Sequence, residues 1–139
     1  MHATKLFPSL IFLTFVACNT ENQKYIWKSK EVTASAYNST RAQTDGEPRI
    51  AAWGDKLVPG MKTIAVSRDL IRLGLVRDTQ VKIDGLDGTY LVKDKMHYRW
   101  RNTIDLYMGT DVKKAKEWGR KKVKIHFRVK RDTNSIKKQ

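Results

Sequence analysis

From Lys122 to Val129 the chain alternates without interruption. Val123, Ile125, Phe127 and Val129 share one face, and Lys122, Lys124, His126 and Arg128 share the other. An extended strand with one apolar and one wet face fits that pattern, whereas a helix would scatter the four apolar side chains around its axis. Shorter stretches of the same kind recur upstream. Val32-Thr33-Ala34-Ser35-Ala36-Tyr37 alternates, and Ile50 to Trp53 and Thr63 to Val66 are apolar runs separated by the Pro59-Gly60 turn. Val81-Lys82-Ile83 and Thr89 to Val92 flank a hairpin turn at Asp84-Gly85-Leu86-Asp87-Gly88, and Ile104 to Met108 follows. Ser67 reads as the N-cap of a short helix from Arg68 to about Leu75. Thr110 reads as the cap of a second helix, Asp111 to Trp118, which Gly119 stops. Six or seven strands this short are expected to curl into a small closed β-barrel, so the fold class is all-β with one or two short helices.

The first residues belong to something other than the barrel. Lys5 precedes a run of about twelve mostly apolar residues, Leu6 to Ala17, too short to span a bilayer as a helix and the right length for a secretory leader. It ends in Phe15-Val16-Ala17-Cys18, similar to a bacterial lipobox, with Phe15 where Leu is usual. Cys18 is the sole cysteine, which excludes an intrachain disulfide and a cysteine-based metal site. Lipidation accounts for a lone cysteine in an exported chain, and three acyl chains exceed what stable anchoring needs. The expected organisation is a leader over residues 1–17, a lipidated tether over 18–30, a barrel over 31–129 and a basic tail over 130–139. Removing the leader leaves 122 residues, enough for one domain with a modest core.

Charge narrows the partners. Lys and Arg number 28 against 14 Asp and Glu, a formal net charge of +14, so the chain is drawn to anions. For an exported protein these are wall glycan or lipid head groups, and nucleic acid is not expected. Three scattered histidines, His2, His97 and His126, do not make a zinc site, and no metal or cofactor is implied.

Two carboxylates carry the chemistry. Asp94 closes the strand-like run Gly88 to Val92, and Asp105 lies eleven residues on, on the face opposite Ile104 and Leu106. On neighbouring strands, burial and mutual repulsion would keep one of such a pair protonated and able to act as a general acid. The alternative is a pair of solvated carboxylates matched to Lys95, Arg99 and Arg101.

Five segments in order carry a resemblance: Val32 to Tyr37, Thr63 to Val66, Gly88 to Asp94, Ile104 to Gly109, and Ala115 to Ile125. Together they resemble the three-aspartate (3D) domain of cell-wall proteins, found also in the C-terminal half of membrane-bound lytic transglycosylase A. That family is similar in fold to rare lipoprotein A, a six-stranded double-psi β-barrel. The resemblance implies that Asp105 is the catalytic acid of peptidoglycan lytic transglycosylation, with Asp94 its neighbour. One aspartate then protonates the bond between N-acetylmuramic acid and N-acetylglucosamine, and afterwards takes the muramic 6-hydroxyl proton. The chain departs from the family pattern in two places. Ser67 stands where the first aspartate is usual, with Asp69 two residues on as a helix first-turn carboxylate, and Lys95-Met96-His97 replaces Thr-Gly-Gly.

Ser67, His97, Arg99, Trp100 and Tyr107 are the candidate substrate-binding residues. The aromatic rings, Tyr98 included, would stack on sugars, and Arg99 and Arg101 would hold acids of the muramic acid or peptide. The opposing reading has Trp100 and Tyr107 filling the barrel end. Thr44 and Asp45 are further candidates in a polar loop. The expected protein is a monomeric lipoprotein of the outer membrane facing the periplasm, an outer-membrane site being read from Asn19 after the cysteine. The competing reading is a non-catalytic peptidoglycan-binding lipoprotein on the same barrel.

Overall fold

The computed structural model describes residues 24–39 and 50–132. The leader, Cys18, and the loop bearing Thr44 and Asp45 lie outside the described residues. Six strands form: β1 (Tyr25–Tyr37), β2 (Thr63–Val66), β3 (Gln80–Ile83), β4 (Tyr90–Lys95), β5 (Thr103–Tyr107) and β6 (Lys121–Lys130). Two helices, α1 (Arg68–Arg72) and α2 (Val112–Trp118), complete the described elements. The strands close a barrel in the order β1-β5-β2-β4-β3-β6, so the all-β, six-stranded barrel with short helices is the fold.

The pairing has an internal symmetry. β1 runs parallel to β5 and β2 parallel to β4, while every other pair is antiparallel. Exchanging β1, β2 and β3 with β4, β5 and β6 maps this neighbour order onto itself. Two crossed halves of three strands each therefore interlock, the connectivity expected of a double-psi barrel.

Alternation decides which side chains fill it. Val32 and Ala34 of β1, Ile64 and Val66 of β2, Val81 and Ile83 of β3, and Val92 of β4 point inward and are buried. Ile104 and Leu106 of β5 and Ile125, Phe127 and Val129 of β6 meet them, and Leu70 and Leu75 cap the cluster from α1 and the turn after it. Each of the valine, leucine, isoleucine and phenylalanine side chains, fully buried, contributes about 1.5–3 kcal/mol. Among the described residues no helix is long and apolar enough to cross a membrane.

Four local expectations change. β1 begins at Tyr25, so residues 25–30, placed in the tether by their polarity, pair with β6 from Tyr25↔Lys130 onward. Ile50 to Trp53 is no strand. It makes one isolated bridge, Ile50↔Lys56, around a tight turn in which Gly54 takes φ 82°. Ser67 holds the N-cap position of α1 without capping it, and its Oγ accepts from the Thr103 amide at 3.0 Å instead. The cap of α2 is Asp111, whose carboxylate accepts from the Lys114 amide at 2.9 Å, and not Thr110.

Candidate active site

The two aspartates do not lie on neighbouring strands. β2 runs between β4 and β5, and Ala65 pairs with Asp105 on one side and with Asp94 on the other. Ser35 of β1 pairs with Asp105 from beyond. A single row therefore reads Ser35, Asp105, Ala65, Asp94 across four strands. With strands about 4.8 Å apart, the aspartate backbones are roughly 10 Å from each other, and Ala65 between them is itself buried.

A β-bulge puts Asp94 in that row. Register runs Ile64↔Val92 and then Ala65↔Asp94, so Lys93 is the extra residue. In an unbroken ladder Lys93 would face Ala65, and Asp94 would turn toward the core, because side chains alternate at period two. Lys93 instead forms ion pairs with Asp78 and Asp55, and Arg77 binds Asp55 at 2.8 Å.

Each of the three carboxylates around this row has a different job. Asp69 accepts from the Asn102 amide at 2.9 Å. Burial pushes its pKa up, but hydrogen bonds from Ser67, from Asn102 and from its own amide outweigh that and hold it below the usual range. It thereby clamps the turn before β5, where Asn102 takes φ 47°. Asp94 Oδ1 accepts from the amides of Ala52 at 2.7 Å and Lys95 at 2.8 Å, pinning the turn at residues 51–55 beside β4. Burial raises its pKa, against the pull of those two amides and of Lys95. Replacing Asp94 by Ala is expected to speed hydrogen exchange of the Ala52 amide by about tenfold or more, given what a charge-assisted bond contributes. Unchanged exchange there would show that the turn is held by other contacts.

Asp105 accepts from a side chain, the Ser35 hydroxyl, and from no backbone amide among the described residues. Its Oδ1 is buried with no hydrogen-bond partner among the described residues. Burial is the main cause that pushes its pKa up to about 6, and the Asp94 charge adds to it, while the Ser35 hydroxyl and Arg120 pull it down. A carboxyl group poised there carries its proton in mildly acidic conditions and gives it up near neutrality. Tyr37, two residues beyond Ser35 on the same face, is kept a neutral phenol by burial and by the charges of Asp94, Asp105 and Tyr107. Its hydroxyl too is buried and has no hydrogen-bond partner among the described residues.

The expected substrate residues separate. Ser67 is fully buried and tied to Thr103, a structural role. Tyr107 is buried against Ala51 and Leu57, stacks on Tyr37 at 5.5 Å between centroids and bonds Ser39 Oγ at 2.9 Å, so its ring is not free to stack on a sugar. His97, Arg99 and Trp100 share an exposed turn before β5. Trp100 stays 39 % exposed and lies under the Arg120 guanidinium at 4.8 Å rather than filling the barrel end. Arg101 acts on Asp69, and Met96 is buried where the family pattern has glycine. Ser35, Tyr37, Ala65 and Arg120 went unnoticed in the sequence. The alternation of residues 32–37 already placed Ser35 and Tyr37 on one face, but their pairing with β5 spans about seventy residues.

Two open grooves, of about 590 and 730 Å³, exclude both aspartates and lie elsewhere on the barrel. A Ser29-His126-Asp84 chain, with contacts of 2.8 and 3.0 Å, sits on the outer face of β1, β6 and the end of β3. The amides of its two strands are used in the sheet, so it lacks the free donors that acyl-transfer chemistry requires. No group of three or more His, Cys, Asp or Glu among the described residues could hold a metal ion. No protein-family model and no curated protein matches the chain.

Proposed function

We propose that the protein is an envelope lipoprotein that cleaves peptidoglycan glycan strands by lytic transglycosylation, with Asp105 as both acid and base. The observation that carries this is the state of Asp105, a carboxyl group with one buried, unpartnered oxygen and a pKa pushed up to about 6. In the first step the Asp105 proton passes to the glycosidic oxygen as the bond to C1 of the muramic sugar breaks. In the second the muramic 6-hydroxyl oxygen bonds to C1 and its proton returns to Asp105, closing a 1,6-anhydro ring. One group suffices because the two transfers come in sequence. Asp94, on the far side of Ala65, supplies negative charge where the sugar carbon becomes cationic. Tyr37 is a neutral donor on the same face, and Trp100 with Arg120 offers a ring and a cation for a sugar bearing a carboxylate.

Mass spectrometry of the soluble products after incubation with sacculi tests this. Wild type is expected to release anhydro-muropeptides and Asp105→Asn none. Reducing-end products would instead mean hydrolysis by an activated water. If neither protein releases product while both sediment with sacculi, the barrel binds wall without cutting it.

A further inference from the structure

At the end of β1 remote from the aspartate row the barrel carries a surface of another kind. Tyr25, Arg72, Leu73, Val76, Arg128 and Lys130 line the open groove of about 730 Å³. Leu73 is 47 % exposed and Val76 50 %, while Leu75 between them is fully buried and anchors their turn. Gly74 fixes that turn tightly, with φ 106° and so little room that an added Cβ would lie 2.6 Å from Val129. The two aliphatic side chains are thus held outward by the backbone, and no core contact requires them there.

Cations surround the pair. Lys28, Arg72, Arg128 and Lys130 line the groove without an acidic partner among the described residues. Its one acid, Asp78, is already engaged by Lys93 and Arg77. Arg128 lies over the Tyr25 ring at 4.3 Å, and Trp27, next but one along the strand, is 46 % exposed. Aliphatic tips and aromatic rings encircled by Lys and Arg match a lipid interface, where apolar groups enter the acyl boundary and cations meet phosphates. Nucleic acid would use the cations and leave Leu73 and Val76 without a partner.

We propose that this end of the barrel docks directly on an anionic lipid bilayer, with Leu73 and Val76 entering the interface and the four cations facing the head groups. The docking does not depend on the aspartate chemistry. Where it meets the lipoprotein reading, the two agree in direction. Lys24, just before β1, is six residues from Cys18, so at most about 22 Å of chain separates the groove from a lipid there. Ten steps of β1 then separate Tyr25 from Ser35, which puts the aspartate row up to roughly 33 Å along the strand from the groove, on the side away from the bilayer.

The test uses residues 19–139, which hold the whole barrel and carry neither leader nor cysteine, in sedimentation with vesicles. Vesicles of phosphatidylglycerol and phosphatidylcholine (3:7) are compared with phosphatidylcholine alone. Binding is expected to the anionic vesicles only. Arg72→Glu with Lys130→Glu is expected to weaken it at least about twentyfold, and Leu73→Ser with Val76→Ser severalfold, all four positions being at the surface. Lys113→Glu with Lys114→Glu, an equal charge change on α2, is expected to leave most of the binding. No binding to anionic vesicles, or equal loss in the α2 variant, would overturn the proposal. So would binding to a 20-base-pair duplex that vesicles fail to displace. Sacculus cleavage is measured separately, so either result can fail while the other stands.

Discussion

Asp105→Asn is expected to stabilise the protein at pH 7.5 while removing the proposed glycan cleavage. The two effects share a cause. In the folded chain the carboxyl pKa is pushed up to about 6 from an ordinary 3.8, chiefly by burial. Below pH 3.8 the group is protonated whether the chain is folded or not, and it costs nothing. As pH rises through 6 the folded form must ionise a buried group that ionises freely when unfolded, so wild type loses stability across that window. At about 1.4 kcal/mol per pKa unit the loss is about 2–3 kcal/mol at pH 7.5. Asparagine keeps the shape and an acceptor for Ser35 without the charge. Chemical denaturation at pH 4 and pH 7.5 checks this, with near-equal stabilities expected at the lower pH and a gap opening at the higher. A constant difference between the two proteins would rule out a raised pKa. On the same titration, cleavage by wild type should fall about tenfold per pH unit above 6, because the reaction starts from the protonated acid. Removing a general acid costs about 10²–10⁴ in rate, so the variant should release no measurable product.

Ile64→Ala is expected to cost 2–5 kcal/mol, the usual range for truncating a fully buried isoleucine. Ile64 lies on β2, against Leu106 on one side and Val92 on the other, at the centre of the barrel wall. The cavity cannot collapse easily, because neighbouring strands on both sides hold their spacing by hydrogen bonds. For a domain of this size the expected fall in Tm is about 10–20 °C. Ile64→Val, which removes one methylene, should cost about 0.5–1.5 kcal/mol. Thermal melts followed by circular dichroism distinguish the two. A fall of only a degree or two for the alanine variant would mean that β2 does not lie inside a closed barrel. Because Ala65 follows directly, a loosened β2 should also hydrate Asp105 and bring its pKa back toward 4, readable as a shift in the pH profile.

Much of this was legible in the linear chain. Period-two alternation fixed which residues of β6, β5 and β1 share a face, since that depends on backbone geometry alone. Turn residues marked the β3–β4 hairpin and the stop of α2 at Gly119, whose φ of 67° suits glycine. Ile50 to Trp53 misled because a short apolar run looks the same whether it enters a sheet or packs a turn onto Tyr107. Tyr25 to Lys30 misled in the other direction, because a strand whose outer face meets water can be mostly polar and still pair.

The aspartates divide the two kinds of information most clearly. Their residue types and their place in strand-like runs came from sequence, and so did the side of β5 on which Asp105 points. Which of the carboxylates would be free did not. That followed from parallel pairing between β1 and β5, from β2 inserted between the two aspartates, and from one extra residue at Lys93. Those are contacts between segments far apart in the chain, and only the closed barrel brings Ser35, Asp105, Ala65 and Asp94 into one row. Asp69 and Asp94 are spent there on backbone amides, whereas Asp105 accepts from the Ser35 side chain and from no backbone amide among the described residues, because burial and hydrogen bonding are properties of the assembled sheet.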